Sequence, residues 1–244
     1  MLRRPHWAGE LVVVALLLVV YDRVSALAST RADAAAAHGR SILALEHLGL
    51  EKSADLWLAG TSWLQAPASY YYDLAHIGVT MGVLVGCWVF CGGVYRRARN
   101  ALLLVNVVGL AVFLLYPVAP PRLLPGSGFY DVVANSHTFG AWEAGGRVAA
   151  HANELASMPS LHAAWALWVA LTVMTMTADR RWRALAWAHL ALTCVVVVVT
   201  GNHYVLDLVA GAVTCAAAWG ASPLVGVRRL APSLRDEPEL AHID

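Results

Sequence analysis

Six apolar runs, at about 9–28, 72–94, 101–118, 160–178, 184–200 and 204–225, dominate this chain. Each is long enough, or nearly long enough, for a bilayer core that takes about 20 apolar residues per helix. In hydrocarbon every backbone polar group needs a partner within the protein, so such runs must be helical. The predicted fold is therefore all-α: a polytopic membrane protein, with six transmembrane helices in a bundle. Composition agrees, with 59% of residues hydrophobic and 14% charged, against about 25% charged in soluble domains. The net charge of +1 leaves no footprint for nucleic acid. Cys87, Cys91, Cys194 and Cys215 all lie inside apolar runs and read as small packing residues.

The placement of Lys and Arg sets an expected orientation. With the N-terminus inside, the inner segments hold Arg3, Arg4, Arg96, Arg97, Arg99, Arg180, Arg181, Arg183, Arg228, Arg229 and Arg235, eleven of the 17 basic residues. Both termini are then cytoplasmic, and plasma membrane is the expected location. The first run reads as an uncleaved anchor. Arg3 and Arg4 before Leu11–Val20 also fit a secretory signal, with Ala26-Leu27-Ala28 as its cleavage site. One integral-membrane domain is expected over 1–228, followed by a short cytoplasmic tail, 229–244.

Two outer segments are too polar to span. Residues 30–70 mix Leu43, Leu45, Leu48, Leu56 and Trp57 with Glu46, Glu51, Lys52 and Asp55, which predicts one or two short amphipathic helices on the outer surface. Residues 119–157 form a long loop that opens with Ala119-Pro120-Pro121-Arg122 and contains Gly126, Gly128, Gly140, Gly145 and Gly146. Gly82 and Gly86 form a small-residue pattern for a close helix contact.

Chemistry concentrates at the mouths of two spans. Ser157-Met158-Pro159-Ser160-Leu161-His162 opens the fourth run, with Pro159 expected at the first helical position. A helix N-terminus offers free N–H groups and the positive end of the dipole, which together favour an anion. Gly201-Asn202-His203-Tyr204-Val205-Leu206-Asp207 opens the sixth. His203 and Asp207, four residues apart, are expected on one helix face, where the acid fixes one ring nitrogen and leaves the other nucleophilic. An acid just inside a span is expensive and is usually functional. The topology puts His162, His203 and Arg122 at one outer level. His162 is the candidate general acid. His189 reads as a buried hydrogen-bonded histidine. Two histidines, an acid and an anion site form an inventory for phosphoryl transfer, and no metal-ligand cluster is evident.

These two stretches resemble the second and third motifs of the type 2 phosphatidic acid phosphatase superfamily. Tyr116-Pro117-Val118-Ala119-Pro120-Pro121-Arg122 and the Leu of Pro159-Ser160-Leu161-His162 are similar to its inositol phosphorylceramide synthase branch. Strong similarity covers about 116–212; weaker similarity reaches back through Tyr71-Tyr72-Asp73-Leu74-Ala75-His76 and Tyr95-Arg96-Arg97. The resemblance implies a six-helix bundle and a metal-independent, cofactor-free mechanism through a phosphohistidine. It maps the nucleophile to His203, the orienting acid to Asp207 and the general acid to His162. Arg122, Ser160, Ser157 and Asn202 would hold the substrate phosphate. Two cations of the phosphatase pattern are absent: Leu115 stands where the first motif has Lys, and Val197 where the third has Arg.

The expected activity is transfer of a phosphoryl or phospho-alcohol group from a lipid phosphate ester at the outer membrane face, with an alcohol as acceptor. A lipid phosphate phosphatase, with water as acceptor, is the alternative. A bis-histidine haem protein using His162 and His203 is the alternative of another class; it leaves Ser160, Arg122 and Asp207 without a role.

Overall fold

The structure, a computed structural model, describes residues 5–46, 49–136 and 154–225. Arg147, the glycines at 140, 145 and 146, Arg3, Arg4, and the tail from 226 on lie outside the described residues.

The described residues fold as helices. They are α1 (Trp7–Ser29), α2 (Ala32–Glu46), α3 (Leu50–Ala59), α4 (Ser62–Tyr70), α5 (His76–Phe90), α6 (Gly92–Leu115), α7 (Val132–Asn135), α8 (Leu161–Met176), α9 (Arg180–Val199) and α10 (Val205–Ala221). A π-turn, Tyr71–Ala75, joins α4 to α5 without a break. Four helical stretches are long and apolar enough to cross a membrane: Ser62–Phe90, Gly92–Leu115, Arg180–Val199 and Val205–Leu224. Trp7–Leu27 and Ala32–Glu46, bent by 91° between them, would add a fifth if the pair is counted as one span.

Several boundaries differ from the sequence reading. The second span starts ten residues early, at Ser62, because the π-turn carries the polar stretch Tyr71–Ala75 into the helix. Residues 30–70 form three helices rather than one or two. The run at 160–178 gives a helix of 16 residues, about 24 Å long at 1.5 Å per residue. It starts late because Ser160 is its N-cap, accepting a hydrogen bond from Ala163 N. Pro159 thus lies outside the helix, after a cis Met158–Pro159 bond, and not at the first helical position. Added Cβ atoms at Gly82 and Gly86 would meet nothing within 4 Å, so the expected close helix contact is not made there.

The core sits where α5, α6, α8 and α10 pack together around Trp168, Val105, Ala101, Ala164 and Cys215. Trp168 is fully buried, and its indole N–H donates to Ala98 O at 2.7 Å, which satisfies the one polar atom it brings inside. All four cysteines are free. Gly211 is where α10 meets the start of α8. A Cβ there would lie 2.3 Å from Ser160 O, so only glycine lets the two helix mouths approach this closely.

Arg99 and Arg183 lie at the end of the bundle away from His162. Arg99, early in α6, pairs with Glu10 of α1 at 2.6 Å, and Arg183 donates to Thr177 O and Met174 O at the end of α8. His162 opens α8, and Arg122 follows the far end of α6, Leu115, which lies about 24 Å along the helix from Arg99.

Candidate active site

Backbone hydrogen bonds tie three separated stretches into one site. The exit of α6 pairs with the approach to α8: Val118 N donates to Leu155 O and Ser157 N to Val118 O. Arg122 N donates to Gly201 O at 3.0 Å, and Ser160 N donates to Asp207 O at 3.0 Å. Tyr204, fully buried, sends its hydroxyl to Ala119 O at 2.8 Å. Gly201 makes the turn before His203 possible. Its φ is +66°, and a Cβ would crowd Asp55 Oδ1 at 3.0 Å and Arg122 Cβ at 3.3 Å.

At the centre are His203 and Asp207. His203 precedes α10 rather than lying on it. The two meet because Asp207, at the third helical position, folds back over the helix start. Its Oδ2 accepts from Tyr204 N at 3.0 Å and lies 3.2 Å from His203 Nδ1. The expected same-face spacing therefore reaches the right contact through capping geometry. Glu46 supports the same turn by accepting from Leu206 N. A carboxylate is an acceptor only, so the His203 proton resides on Nδ1 and Nε2 keeps its lone pair.

The Ser157 hydroxyl donates to Asp207 Oδ2 at 2.5 Å and lies 3.5 Å from His203 Nδ1. It orients the acid; the sequence reading gave it to phosphate. The Ser160 side chain is buried and caps α8. Asn202 receives Arg122 Nε on its Oδ1 at 2.8 Å, and its amide donates to Thr200.

His162 Nδ1 sits 3.4 Å from His203 Nε2. That contact uses the His203 lone pair, so His162 carries its proton on Nδ1. Two axial haem ligands need the iron and macrocycle between them, with each nitrogen about 2 Å from the metal. Nitrogens 3.4 Å apart and hydrogen-bonded to each other are closer than two axial ligands would stand. Among the described residues, no three His, Cys, Asp or Glu side chains converge to hold a metal ion.

Arg122 reaches this cluster already paired. It donates to Asp131 Oδ2 at 2.5 Å and lies 3.7 Å from Glu154. Asp131 also caps α7. Asp55, fully buried beside Gly201, accepts from Tyr130 N at 2.7 Å, and burial pushes its carboxyl up to about 6. Leu115 is 74% exposed and Val197 is buried, so neither position supplies charge to the site.

The PAP2 superfamily model matches residues 41–221, nearly three quarters of the chain. The chain belongs to the PAP2 superfamily. It is also 26% identical over 180 residues to the phosphoinositol dihydroceramide synthase of Bacteroides thetaiotaomicron, covering 63% of this chain and 58% of that one. The chain thus spans a little over half the length of that relative. No solved structure matches.

The sequence reading noted Tyr71–His76, on and just after the π-turn, only as a weaker similarity and gave them no role in the site. The Tyr72 ring stacks on His162 with centroids 4.5 Å apart, and His76 lies 4.1 Å from the same ring. His76 Nδ1 donates to Tyr72 O at 2.8 Å. Tyr71 binds His189 Nδ1 at 2.7 Å, which gives that mid-span histidine its partner. The polar residues 71–76 inside an apolar run were the available signal, and π-turns gather at functional sites.

Proposed function

We propose that this protein is a phosphotransferase that moves a phospho-alcohol group from a lipid phosphodiester to an acceptor alcohol through a phosphohistidine at His203. The observation that carries the reading is the pair of faced imidazoles: His203 Nε2 unprotonated, its other nitrogen held by Asp207, and His162 Nδ1 3.4 Å away. His203 Nε2 attacks phosphorus, and the bond to the lipid oxygen breaks. His162, entering the step as an imidazolium once the anionic substrate has parted the rings, gives that oxygen a proton and is left neutral. The acceptor hydroxyl then passes its proton to His162, its oxygen attacks phosphorus, and the N–P bond breaks. In-line displacement puts a phosphoryl group between nucleophile and leaving oxygen, so the two rings must separate as substrate enters. The mechanism calls on no metal.

Charge favours a diester over a monoester. With Leu115 and Val197 at the family's cation positions, Arg122 is the cation tied to Asn202 at the site, and Asp131 already offsets part of its charge. A diester brings one negative charge; a monoester near neutral pH brings up to two. Arg122, Asn202 and the start of α8 at Ser160 would hold the phosphoryl oxygens. An apolar cavity of about 260 Å³, lined by Leu17, Val20, Val24, Leu110 and Leu114, lies between α1 and α6. Leu110 continues through Phe113 to Leu161, next to His162, which supports a lane for a lipid chain.

In this reading all six apolar helices lie in the bilayer, residues 1–228 form one domain, both termini are cytoplasmic and the site opens on the outer face of the plasma membrane. The eleven-of-17 basic bias and the place of Arg99 and Arg183 at the end of the bundle away from His162 support it. Labelling of cysteines placed at Gly93, an exposed position at the start of α6, and at Ala152 in intact and permeabilised cells tests the orientation. The activity test incubates purified protein with radiolabelled phosphatidylinositol, phosphatidylglycerol and phosphatidic acid, with and without a lipid alcohol. New phospholipid from a diester, and an acid-labile phosphoprotein that disappears in His203→Ala, are expected. Free phosphate from phosphatidic acid alone would establish the phosphatase instead. Full turnover by His203→Ala would refute both.

A further inference from the structure

Asp73 is a carboxylate in the bundle with no evident structural task. The residue is 3% exposed, and its Oδ1 is buried without a hydrogen-bond partner among the described residues. Leaving such a group unpaired costs about 1–3 kcal/mol, more when it is charged. Its place is set by the π-turn. The residue just before it, Tyr72, stacks on His162, and the residue three after it, His76, packs on the same ring. Leu74, between them, is 62% exposed on the outer surface of the helix. The Arg122 guanidinium lies within electrostatic reach of both Tyr72 and Asp73. Asp73 is thus buried on the turn that carries Tyr72 and His76 to His162, within electrostatic reach of Arg122.

We propose that Asp73 determines donor specificity by accepting a hydrogen bond from a hydroxyl on the alcohol group that travels with phosphorus. A carboxylate repels the phosphate itself, so its ligand is a donor on the adjoining group. Arg122 already supplies positive charge beside it, so a second cation gains less than a neutral hydroxyl, which satisfies the orphan oxygen at no cost in charge. The head group of a hydroxyl-rich diester is bonded directly to the phosphorus that Arg122 and His203 receive. This inference rests on the diester reading of the site and names what that site reads.

The test compares three diester donors with the same acyl chains in purified protein: phosphatidylinositol, phosphatidylmethanol, which has no head-group hydroxyl, and phosphatidylethanolamine, which is cationic there. Wild type should favour phosphatidylinositol over phosphatidylmethanol by roughly 10-fold or more in kcat/KM, the scale of a hydrogen bond to a charged group. Asp73→Leu should cut that ratio by roughly 10-fold or more, and Asp73→Asn, which keeps one acceptor oxygen, by less. Transfer from phosphatidylmethanol, where the hydrogen bond is absent in all three proteins, reports whether each variant is folded and competent. An unchanged ratio in both variants overturns the role of Asp73 while leaving the diester reading intact. A wild-type preference for phosphatidylethanolamine that Asp73→Asn abolishes would make Asp73 a cation site and overturn the hydroxyl assignment. If wild type cleaves no diester, both readings fall, and that result appears before any variant is made.

Discussion

Replacing Asp207 separates charge from geometry at the centre of the site. Asp207 Oδ2 receives Tyr204 N–H, the Ser157 hydroxyl and His203 Nδ1 on one atom, while Oδ1 is buried and unpartnered among the described residues. Asp207→Asn can keep this arrangement. Three converging donors force the amide oxygen into the Oδ2 position, and the NH2 group takes the place of Oδ1. The His203 tautomer survives, and only the charge is lost. As Nε2 bonds to phosphorus, the ring gains a positive charge. At 3.2 Å and an effective dielectric of about 20, a charge pair is worth about 5 kcal/mol. The amide dipole retains part of this, so Asp207→Asn should lose roughly 100- to 1000-fold in kcat. In Asp207→Ala the Ser157 hydroxyl keeps Asn202 O as an acceptor, but Tyr204 N–H and His203 Nδ1 lose theirs at about 1–3 kcal/mol each, a large part of the stability of many domains, so the variant should be strongly destabilised. Single-turnover formation of the phosphoenzyme, with thermal unfolding in detergent alongside, reads both effects. Near-wild-type phosphoenzyme formation by Asp207→Asn would refute the electrostatic role, and an Asp207→Ala protein as stable as wild type would refute the account of the lost acceptor.

Three further outcomes are expected. If His162 protonates the leaving oxygen, His162→Ala should be partly rescued by a nitrophenyl phosphodiester, whose leaving group needs no acid, and His203→Ala should not; equal losses on natural and activated donors would give His162 another role. Arg122 spans Asn202, Asp131 and Glu154 with its planar fork, which an ammonium cannot do. Arg122→Lys should therefore lose roughly 10-fold or more in kcat/KM and Arg122→Ala roughly 100-fold; a Lys variant near wild type would assign the phosphate contact elsewhere, with Arg147 the next to test. Asp55 has a folded value of about 6 against an ordinary 3.8, because burial disfavours its charged form. Its contribution to stability is full below about pH 4 and is lost as pH rises through 6, by on the order of 3 kcal/mol. Asp55→Asn should raise the unfolding temperature at pH 7 and flatten its fall between pH 4 and 6; a lower temperature for the variant at pH 7 would contradict this.

Much of this protein is written in local sequence. The apolar runs determine helices, since a backbone in hydrocarbon has no other partner for its polar groups. Ser160 before Leu161, and Tyr204 with Asp207 after it, mark two helix starts through capping bonds that span three residues. So His162, His203 and Asp207 were legible as candidates in two short motifs, and the fold brings the three side chains together. What each partner does was not. Ser157 looked like an anion ligand until packing brought it onto Asp207, 50 residues away. Arg122 looked like a free clamp until the fold set Asp131 and Asn202 against it. The π-turn was invisible in periodicity because Tyr71–Ala75 is continuous helix on either side. The extra residue per turn is what delivers Tyr72 and His76 to His162, on a helix about 90 residues earlier in the chain. Capping and hydropathy act between neighbours, so a linear reading finds them. The site's second ring of contacts arises only when α6, α8, α10 and the π-turn meet, and only tertiary packing decides which polar groups then face each other.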